Sequence, residues 1–243
     1  MDDIETQGRV DLAAAFRWAA RLGFHESIAN HFSLAVSPDG GKFLLNPRGR
    51  HFSKVKASEL LLLDGETNSV VSGNGPPDPT AWYIHSRLHK RVPHARCVLH
   101  VHSRYATALA SIKGGRLLPV DQNSARFYDR VAYDDSFNGF ALDDAEGDRI
   151  CAALGNKSVM LMGNHGVTIA AGSVAEAFDE LYYFERSCET MILALSTGRE
   201  LSILPDDLAR RTAQQWQDYA GFAALHFAEL KRILDEEDPG YVN

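Results

Sequence analysis

The sequence predicts an α/β fold in which helices flank a central, largely antiparallel sheet. Two pairs of short apolar runs, at 32–46 and 60–72, are each joined by a turn of a few residues. Such short connections require antiparallel strands, because parallel strands need long crossovers. From residue 78 onwards, helical patterns alternate with short strand-like runs. No low-complexity linker or internal repeat divides the 243 residues, a length that suits one large domain or two small ones.

The first half of the chain contains one helix and two hairpins before a second helix begins. The alanine-rich "VDLAAAFRWAARLGF" has apolar residues at helical spacing, and Gly23 ends it. "FSLAV" pairs with "KFLLN" around "SPDGG", and "LLLLD" pairs with "NSVVS" around "DGET". The next helix opens at "DPTAW", with Asp78 as N-cap and Pro79 at the first helical position.

The second half interleaves strands with helices. "CVLHV" is a predicted strand, and a helix begins at Ser103 directly after it. "DDAEGDRICAAL" and "SVAEAFDELYYFERSCETMILALSTG" each begin with a capping box, which indicates two further helices. "SVMLM" and "VTIAAG" are strands joined by "GNHG", and the tail from Pro205 to about Glu236 is mostly helical.

Composition and charge narrow the functional classes. The chain is 45% hydrophobic and 23% charged, which is typical of a soluble globular protein. Its net charge of −7, without a Lys/Arg cluster, gives no reason to expect a nucleic-acid partner. We also expect no membrane association, since no run of 18 apolar residues occurs. An acidic start without a signal peptide, and three cysteines without metal-like spacing, indicate a cytoplasmic protein with reduced thiols.

A pair of histidines in "CVLHVHS" is the first candidate functional feature. Side chains alternate between the faces of a strand, so His100 and His102 project on the same side. Two neutral imidazoles on one face suit a shared metal ion. The alternative is a pair of partly buried histidines that hydrogen-bond to the backbone. His85 and His89, four apart on the preceding helix, could also bind metal, but we expect one to pack and the other to be solvated.

A third histidine strengthens the metal hypothesis. His165 lies in the glycine-flanked turn "GNHG", at the end of a predicted strand and not within a core. Taken alone it could be an ordinary loop histidine. Three neutral imidazoles would bind a divalent ion and leave a coordination position open, which is the pattern of a catalytic metal.

Four stretches carry a resemblance to a known family. They are "IANHFSLAV", "LLNPRGRHFS", "DPTAWYIHSRLHKRVPHARCVLHVHS" and "LMGNHGVTIAAG" with the helix that follows. Over nearly its full length the chain resembles the class II aldolase/adducin family. The resemblance implies a single-domain α/β/α sandwich over residues 1–243, with a central, mostly antiparallel sheet and a helical tail from about 205 to 243. It also implies a homotetramer with active sites near the subunit interfaces.

The resemblance further implies a metal enzyme. His100, His102 and His165 match the family's metal ligands, which usually hold zinc, and Mn, Co or Fe(II) are the other expected ions. The adducin head domain, a structural member of the family, lacks such a histidine set. All three histidines are present here, which favours an enzyme.

The chain departs from the sugar-phosphate aldolases of this family at one important position. Their catalytic acid/base glutamate, in a Ser-Ser-Glu stretch, aligns with Ala81, and the two serines that hold phosphate align with Pro79 and Thr80. Alanine can neither transfer a proton nor bind metal, so we expect an open coordination position beside Ala81. Pro79 has no N–H to offer a phosphate, which leaves Thr80 as the possible substrate contact.

The family's anion-binding residues are partly kept. Asn30 matches the asparagine of the family's "GNVS"-type stretch. "NPRG" (Asn46, Arg48 and Gly49 with Pro47) matches the family's "TPSG"-type anion loop. Arg48 replaces a small hydroxyl residue, and its planar guanidinium suits a substrate carboxylate. An Arg exposed in a surface turn is the alternative, and the sequence leaves open which side chain of "RGRH" points inward.

Three functions follow from these features. The first is a metal-dependent lyase, of decarboxylase or aldolase type, acting on a small anionic hydroxy or oxo compound. Loss of CO2 needs no base at the start, which suits Ala81, and His31, Tyr133 or water would protonate the product. The second, which the resemblance to a few members of the family implies, is an Fe(II)-dependent oxidative decarboxylase of aromatic oxo or hydroxy acids. The third is a non-catalytic interaction module like the adducin head.

Overall fold

The computed structural model describes residues 3–219 and 221–243. Met1 and Asp2 of the acidic start, and Ala220 in the predicted helical tail, lie outside the described residues. Eight strands form one sheet, in the order β4-β3-β2-β1-β5-β8-β7-β6. They are β1 (His31–Ala35), β2 (Lys42–Leu45), β3 (Leu61–Asp64), β4 (Ser69–Ser72), β5 (Cys97–Val101), β6 (Val131–Asp134), β7 (Val159–Met162) and β8 (Gly166–Ala171).

The sheet is antiparallel except at one edge, where β6 and β7 run parallel. Both predicted hairpins are present, as β1–β2 and β3–β4. The predicted α/β class with a mostly antiparallel central sheet is therefore confirmed. Strand β6 was not anticipated, and it reaches the sheet through a parallel pairing that no short turn marks in the sequence.

Eight α-helices accompany the sheet in the described ranges. They are α1 (Asp3–Leu22), α2 (Pro79–Arg91), α3 (Arg104–Ala110), α4 (Gln122–Ala125), α5 (Asp144–Leu154), α6 (Val174–Ser196), α7 (Asp206–Asp218) and α8 (Phe222–Glu237). The Asp78 carboxylate accepts a hydrogen bond from the Thr80 N–H and caps α2 as predicted, with Pro79 in its first turn. Helix α1 begins at Asp3, before the predicted "VDLAAAF" stretch. An ion pair between Glu5 and Arg9, four residues apart, stabilises this additional part of the helix.

Helices cover both faces of the sheet. Residues of α1, α3, α6 and α8 form the larger apolar core with one face, which includes Phe32 and Leu99. Helices α2 and α5 pack on the other face, where Val98 and Met160 lie. His31 on β1 is directly opposite His100 on β5 in the register, and both imidazoles lie on the face of α2. No helix in the described part of the chain combines the length and apolar character that a membrane crossing requires.

Candidate metal centre

Three imidazoles meet where β5 ends beside the turn between β7 and β8. The candidate ligand nitrogens of His100, His102 and His165 all lie within 4.8 Å of one another. Pairing of His100 with Thr168 and of Val101 with Val167 brings this turn against the end of β5. The approach is close enough to require glycine at Gly166, because a Cβ there would lie 2.5 Å from the Val101 carbonyl oxygen.

Hydrogen bonds fix the tautomer of His102. Its Nδ1 lies 2.7 Å from Oε2 of Glu26, and a carboxylate oxygen can only accept. Nδ1 therefore carries the proton of the neutral ring, whose Nε2 presents a lone pair. A carboxylate that accepts from a ligand histidine is the usual partner of a metal-binding imidazole.

The Thr168 hydroxyl can hold His100 in the matching tautomer. When this hydroxyl donates to the Met162 sulfur, 3.3 Å away, its oxygen accepts from His100 Nδ1 over 3.1 Å, and His100 Nε2 then carries no proton. Burial lowers the pKa of His100 well below its ordinary value, and the neighbouring His165 lowers it further.

In that tautomer two unprotonated nitrogens face each other, because Nε2 of His100 and Nε2 of a neutral His102 are 3.1 Å apart. Two ligands of a tetrahedral zinc ion, at 2.0–2.1 Å from the metal, would be separated by about 3.3 Å. The donor set thus fits a divalent cation, which would relieve the repulsion between the two lone pairs.

His165 completes the set from the turn between β7 and β8. Its ring centre is 4.8 Å from those of both His100 and His102. Burial, followed by the neighbouring His102, lowers the pKa of His165 to about 4. The imidazole is neutral at physiological pH and needs no deprotonation before it binds a metal ion.

A cavity of about 570 Å³ opens onto the three histidines. Four residues proposed from the sequence as substrate contacts line it, namely Asn30, Asn46, Arg48 and Thr80, together with His31. The volume is within the range of small-molecule sites. The Arg48 side chain is 61% exposed at the mouth and lies 3.7 Å from Asp78, so its guanidinium is only loosely held.

Asn30 is the most constrained of these residues. It has a φ of +92° and lies between β1 and the preceding turn, where its Oδ1 accepts from the Glu26 N–H. Its Nδ2 is buried and has no hydrogen-bond partner among the described residues. Asn46 donates to the Asn30 carbonyl oxygen and accepts from the Phe32 N–H, so it supports Asn30 more than it faces a ligand.

Three sequence predictions need correction. Tyr133 is not among the described residues that line the cavity; it packs on the opposite face of β6, and its hydroxyl accepts from the Leu117 N–H. Burial raises its pKa to about 12, so neither its position nor its acidity supports the proposed role as proton donor. Gly49 is likewise outside the described cavity lining, and its φ of +76° shapes the turn.

The expectation for Ala81 is the third correction. Its side chain is fully buried in an apolar cluster with residues such as Phe43, Leu45 and Leu63, and not among the described cavity lining. Helix α2 turns this position towards β2 and β3. The cavity is instead bordered by Asp78, Pro79 and Thr80, at the start of the helix.

Several site residues were not predicted from the sequence. Glu26 is 76 residues from His102, and no spacing links the two. Phe137 and Phe140, in the loop after β6, line the mouth of the cavity, and the Phe137 ring lies 5.8 Å from that of His165. Two phenylalanines around the Asn-Gly of "SFNGF" were a usable signal, because apolar side chains in a turn need a partner or a ligand.

Comparison with known proteins agrees with this architecture. The sequence matches the family described as Class II Aldolase and Adducin N-terminal domain over residues 10–192. An aldolase class 2 protein of Caulobacter vibrioides is 33% identical over 100% of this chain and 95% of its own. Decarboxylase NovR of Streptomyces niveus is 28% identical over 92% of this chain and 84% of its own. A 4-hydroxy-3-prenylphenylpyruvate oxygenase/4-hydroxy-3-prenylbenzoate synthase of Streptomyces roseochromogenus is 28% identical over 92% of this chain and 82% of its own.

Two solved structures extend the similarity to the whole fold. An aldolase II superfamily protein from Pseudomonas syringae has a TM-score of 0.91 and 34% identity, covering 100% of this chain and 98% of that one. An L-fuculose 1-phosphate aldolase from Glaciozyma antarctica has a TM-score of 0.84 and 25% identity, covering 99% of this chain and 95% of that one.

Proposed function

The chain belongs to the class II aldolase and adducin family, and on that premise we propose that it is a divalent-metal-dependent lyase. It would cleave a C–C bond, by decarboxylation or aldol cleavage, in a small carboxylated hydroxy or oxo compound. The observation that carries the proposal is the convergence of the His100 and His102 Nε2 atoms, 3.1 Å apart, beside His165, because one divalent cation can bind neutral imidazoles at this spacing.

His100, His102 and His165 would hold one divalent ion per chain, with zinc as the leading candidate and Mn, Co or Fe(II) as alternatives. Such an ion supplies Lewis-acid stabilisation of negative charge that develops on a substrate oxygen. Asn30 and Thr80 would orient the substrate. Arg48, at the mouth, would pair with its carboxylate, since the loose contact to Asp78 leaves the guanidinium available.

His31 is the proposed proton-transfer residue. It lines the cavity, and its ring lies 4.9 Å from that of His100 in a nearly parallel arrangement. Burial lowers its pKa to about 3, so it rests as a neutral imidazole. In an aldol-type cleavage it would take the hydroxyl proton as the C–C bond breaks and return it to the carbon of the resulting enediolate.

The experiment combines metal analysis with a substrate screen. Apoprotein is loaded separately with Zn²⁺, Mn²⁺, Co²⁺ and Fe²⁺, and bound metal is measured after gel filtration. Small 2-hydroxy and 2-oxo acids are then screened for CO2 release or aldehyde formation. We expect one ion per chain and turnover, both lost in His165→Ala and kept in His94→Ala, a histidine outside the described cavity lining that contacts the Lys157 carbonyl.

An Fe(II)-dependent oxidative decarboxylase of aromatic oxo or hydroxy acids is the second candidate. The observation that favours it is the aromatic rim, in which Phe137 and Phe140 could contact a substrate ring. A relative named an oxygenase adds support. Oxygen consumption that depends on Fe²⁺ and an aromatic acid would select this candidate. Absence of tight binding for every ion would instead favour a non-catalytic module like the adducin head.

We also propose that the chain acts in the cytoplasm as a homo-oligomer, with four subunits and active sites near the interfaces. The exposed apolar side chains Ile28, Phe137, Phe140 and Leu142 at the cavity mouth are candidates for coverage by a neighbouring subunit. Light scattering after size-exclusion chromatography measures the mass directly, and a monomeric mass would contradict this arrangement.

A further inference from the structure

Four buried polar side chains form a continuous hydrogen-bonded row behind the candidate active site. We call them the histidine row: His31, His85, Ser33 and His89. His31 and Ser33 are two apart on β1 and point to the same face, while His85 and His89 are four apart on α2 and point back at them. Both His85 and His89 are buried, which corrects the expectation that one of them would be solvated.

The deep end of the row is fixed by the backbone. Nδ1 of His89 lies 2.6 Å from the carbonyl oxygen of Ala95, which can only accept a hydrogen bond. Nδ1 therefore carries a proton. Burial lowers the pKa of His89 to about 4, so the imidazole is neutral and its Nε2 has no proton.

That single constraint sets the direction of every bond in the row. The Ser33 hydroxyl must donate to His89 Nε2, over 2.6 Å. Its oxygen then accepts from His85 Nδ1, which leaves His85 Nε2 as an acceptor. The proton between His31 and His85, whose nitrogens are 2.7 Å apart, consequently belongs to His31 Nδ1. Burial keeps the pKa of His85 well below its ordinary value, which is consistent with a neutral ring.

From this geometry we propose that the histidine row locks His31 in its Nδ1–H tautomer and presents the Nε2 lone pair to the cavity. No hydrogen bond joins His31 Nε2 to any residue that the structure describes, and the ring lines the cavity. His31 thus offers a hydrogen-bond acceptor, which selects a ligand with a hydroxyl group at this point and disfavours a carboxylate or carbonyl oxygen there.

His31 is the residue that would touch substrate, and Ser33, His85 and His89 are positioning residues that act through it. The functional part of this inference rests on the proposed lyase function, in which a substrate hydroxyl loses its proton. The tautomer itself depends only on the apoprotein. Failure of one can therefore be told apart from failure of the other.

The test is long-range ¹H–¹⁵N NMR of histidine side chains in the metal-free protein at neutral pH. Comparison with His31→Gln and His85→Gln spectra assigns the signals. We expect His31, His85 and His89 all to show a protonated Nδ1 and an unprotonated Nε2. An Nε2–H tautomer for His31 in the unaltered protein would overturn the proposal without reference to any variant.

Two serine variants then test the row as the cause. Ser33→Ala removes the hydroxyl that sets the direction, so the ratio of the two His31 tautomers should move about tenfold towards Nε2–H. Ser187→Ala is the matched control, since Ser187 is also fully buried but donates to the Tyr183 carbonyl on α6. Ser33→Thr keeps the hydroxyl and should keep the tautomer. An unchanged His31 tautomer in folded Ser33→Ala, or an equal change in Ser187→Ala, would reject the row as the cause.

Discussion

Replacing Glu26 with Gln should weaken metal binding about tenfold. The carboxylate accepts from His102 Nδ1 over 2.7 Å and makes the opposite nitrogen a better donor to an ion. Carboxylates in this position are worth about 10–100-fold in metal affinity. The Glu26 side chain is 58% exposed, so water screens its charge and the effect should fall at the lower end, which is ~1.4 kcal/mol of binding free energy.

A graded pair of substitutions separates charge from hydrogen bonding. Glutamine removes the charge, but its Oε1 can still accept from His102 and preserve the tautomer. Alanine removes both, so Glu26→Ala should weaken binding by more than Glu26→Gln, towards about 100-fold. Glu66→Gln is the control, because Glu66 is a similarly exposed glutamate that pairs with Lys90.

Competition between the protein and a chelator of known affinity measures the Zn²⁺ dissociation constant of each variant, and Co²⁺ absorption reports the ligand geometry. Unchanged affinity in both Glu26 variants would refute the role assigned to this carboxylate. A loss in Glu66→Gln as large as that in Glu26→Gln would show that net charge, not the contact with His102, controls binding.

Three further predictions concern the anion site, a helix start and the core. Arg48→Met should raise KM for an anionic substrate with little change in kcat, measured by steady-state kinetics, whereas an unchanged KM would make Arg48 an ordinary turn residue. Glu185→Gln should lower the free energy of unfolding by about 2 kcal/mol, measured by urea denaturation at fixed protein concentration. The buried carboxylate accepts hydrogen bonds from Ser103, Tyr105 and Ala106 at the start of α3, and an amide cannot accept all three. A change below about 0.5 kcal/mol would contradict this. Ala81→Glu should destabilise by ~3 kcal/mol or more by burying a carboxylate among apolar side chains, and tighter metal binding in that variant would show instead that the side chain reaches the cavity.

Local patterns were sufficient for much of the fold and for the approach of the three histidines. Alternation on β5 puts His100 and His102 on one face, and the glycine-flanked turn brings His165 beside them. The hairpins and the capped start of α2 are equally local, since each is specified within a few residues. Metal binding by this set stays a prediction.

Features that depend on contacts between distant segments of the chain could not be predicted from local patterns. Tyr133 was misassigned because β6 is a four-residue strand, and the face that its side chain occupies depends on a parallel pairing with β7. Ala81 is turned into the core by the packing of α2 on β2 and β3. The contact of Glu26 with His102 exists only after β1 has joined β5, so no short stretch of sequence contains it.

The strand order also has a consequence for how the protein folds. Strand β5 pairs with β1 on one side and β8 on the other, so the central strand forms its contacts with segments far away along the chain. Closing such long loops costs conformational entropy before the contacts that offset this cost can form. Folding dominated by these pairings is therefore slow, on the order of milliseconds to seconds. The three candidate ligands come together only when β8 docks on β5. Acquisition of metal affinity during refolding should therefore coincide with completion of the central sheet, after the local hairpins and helices have formed.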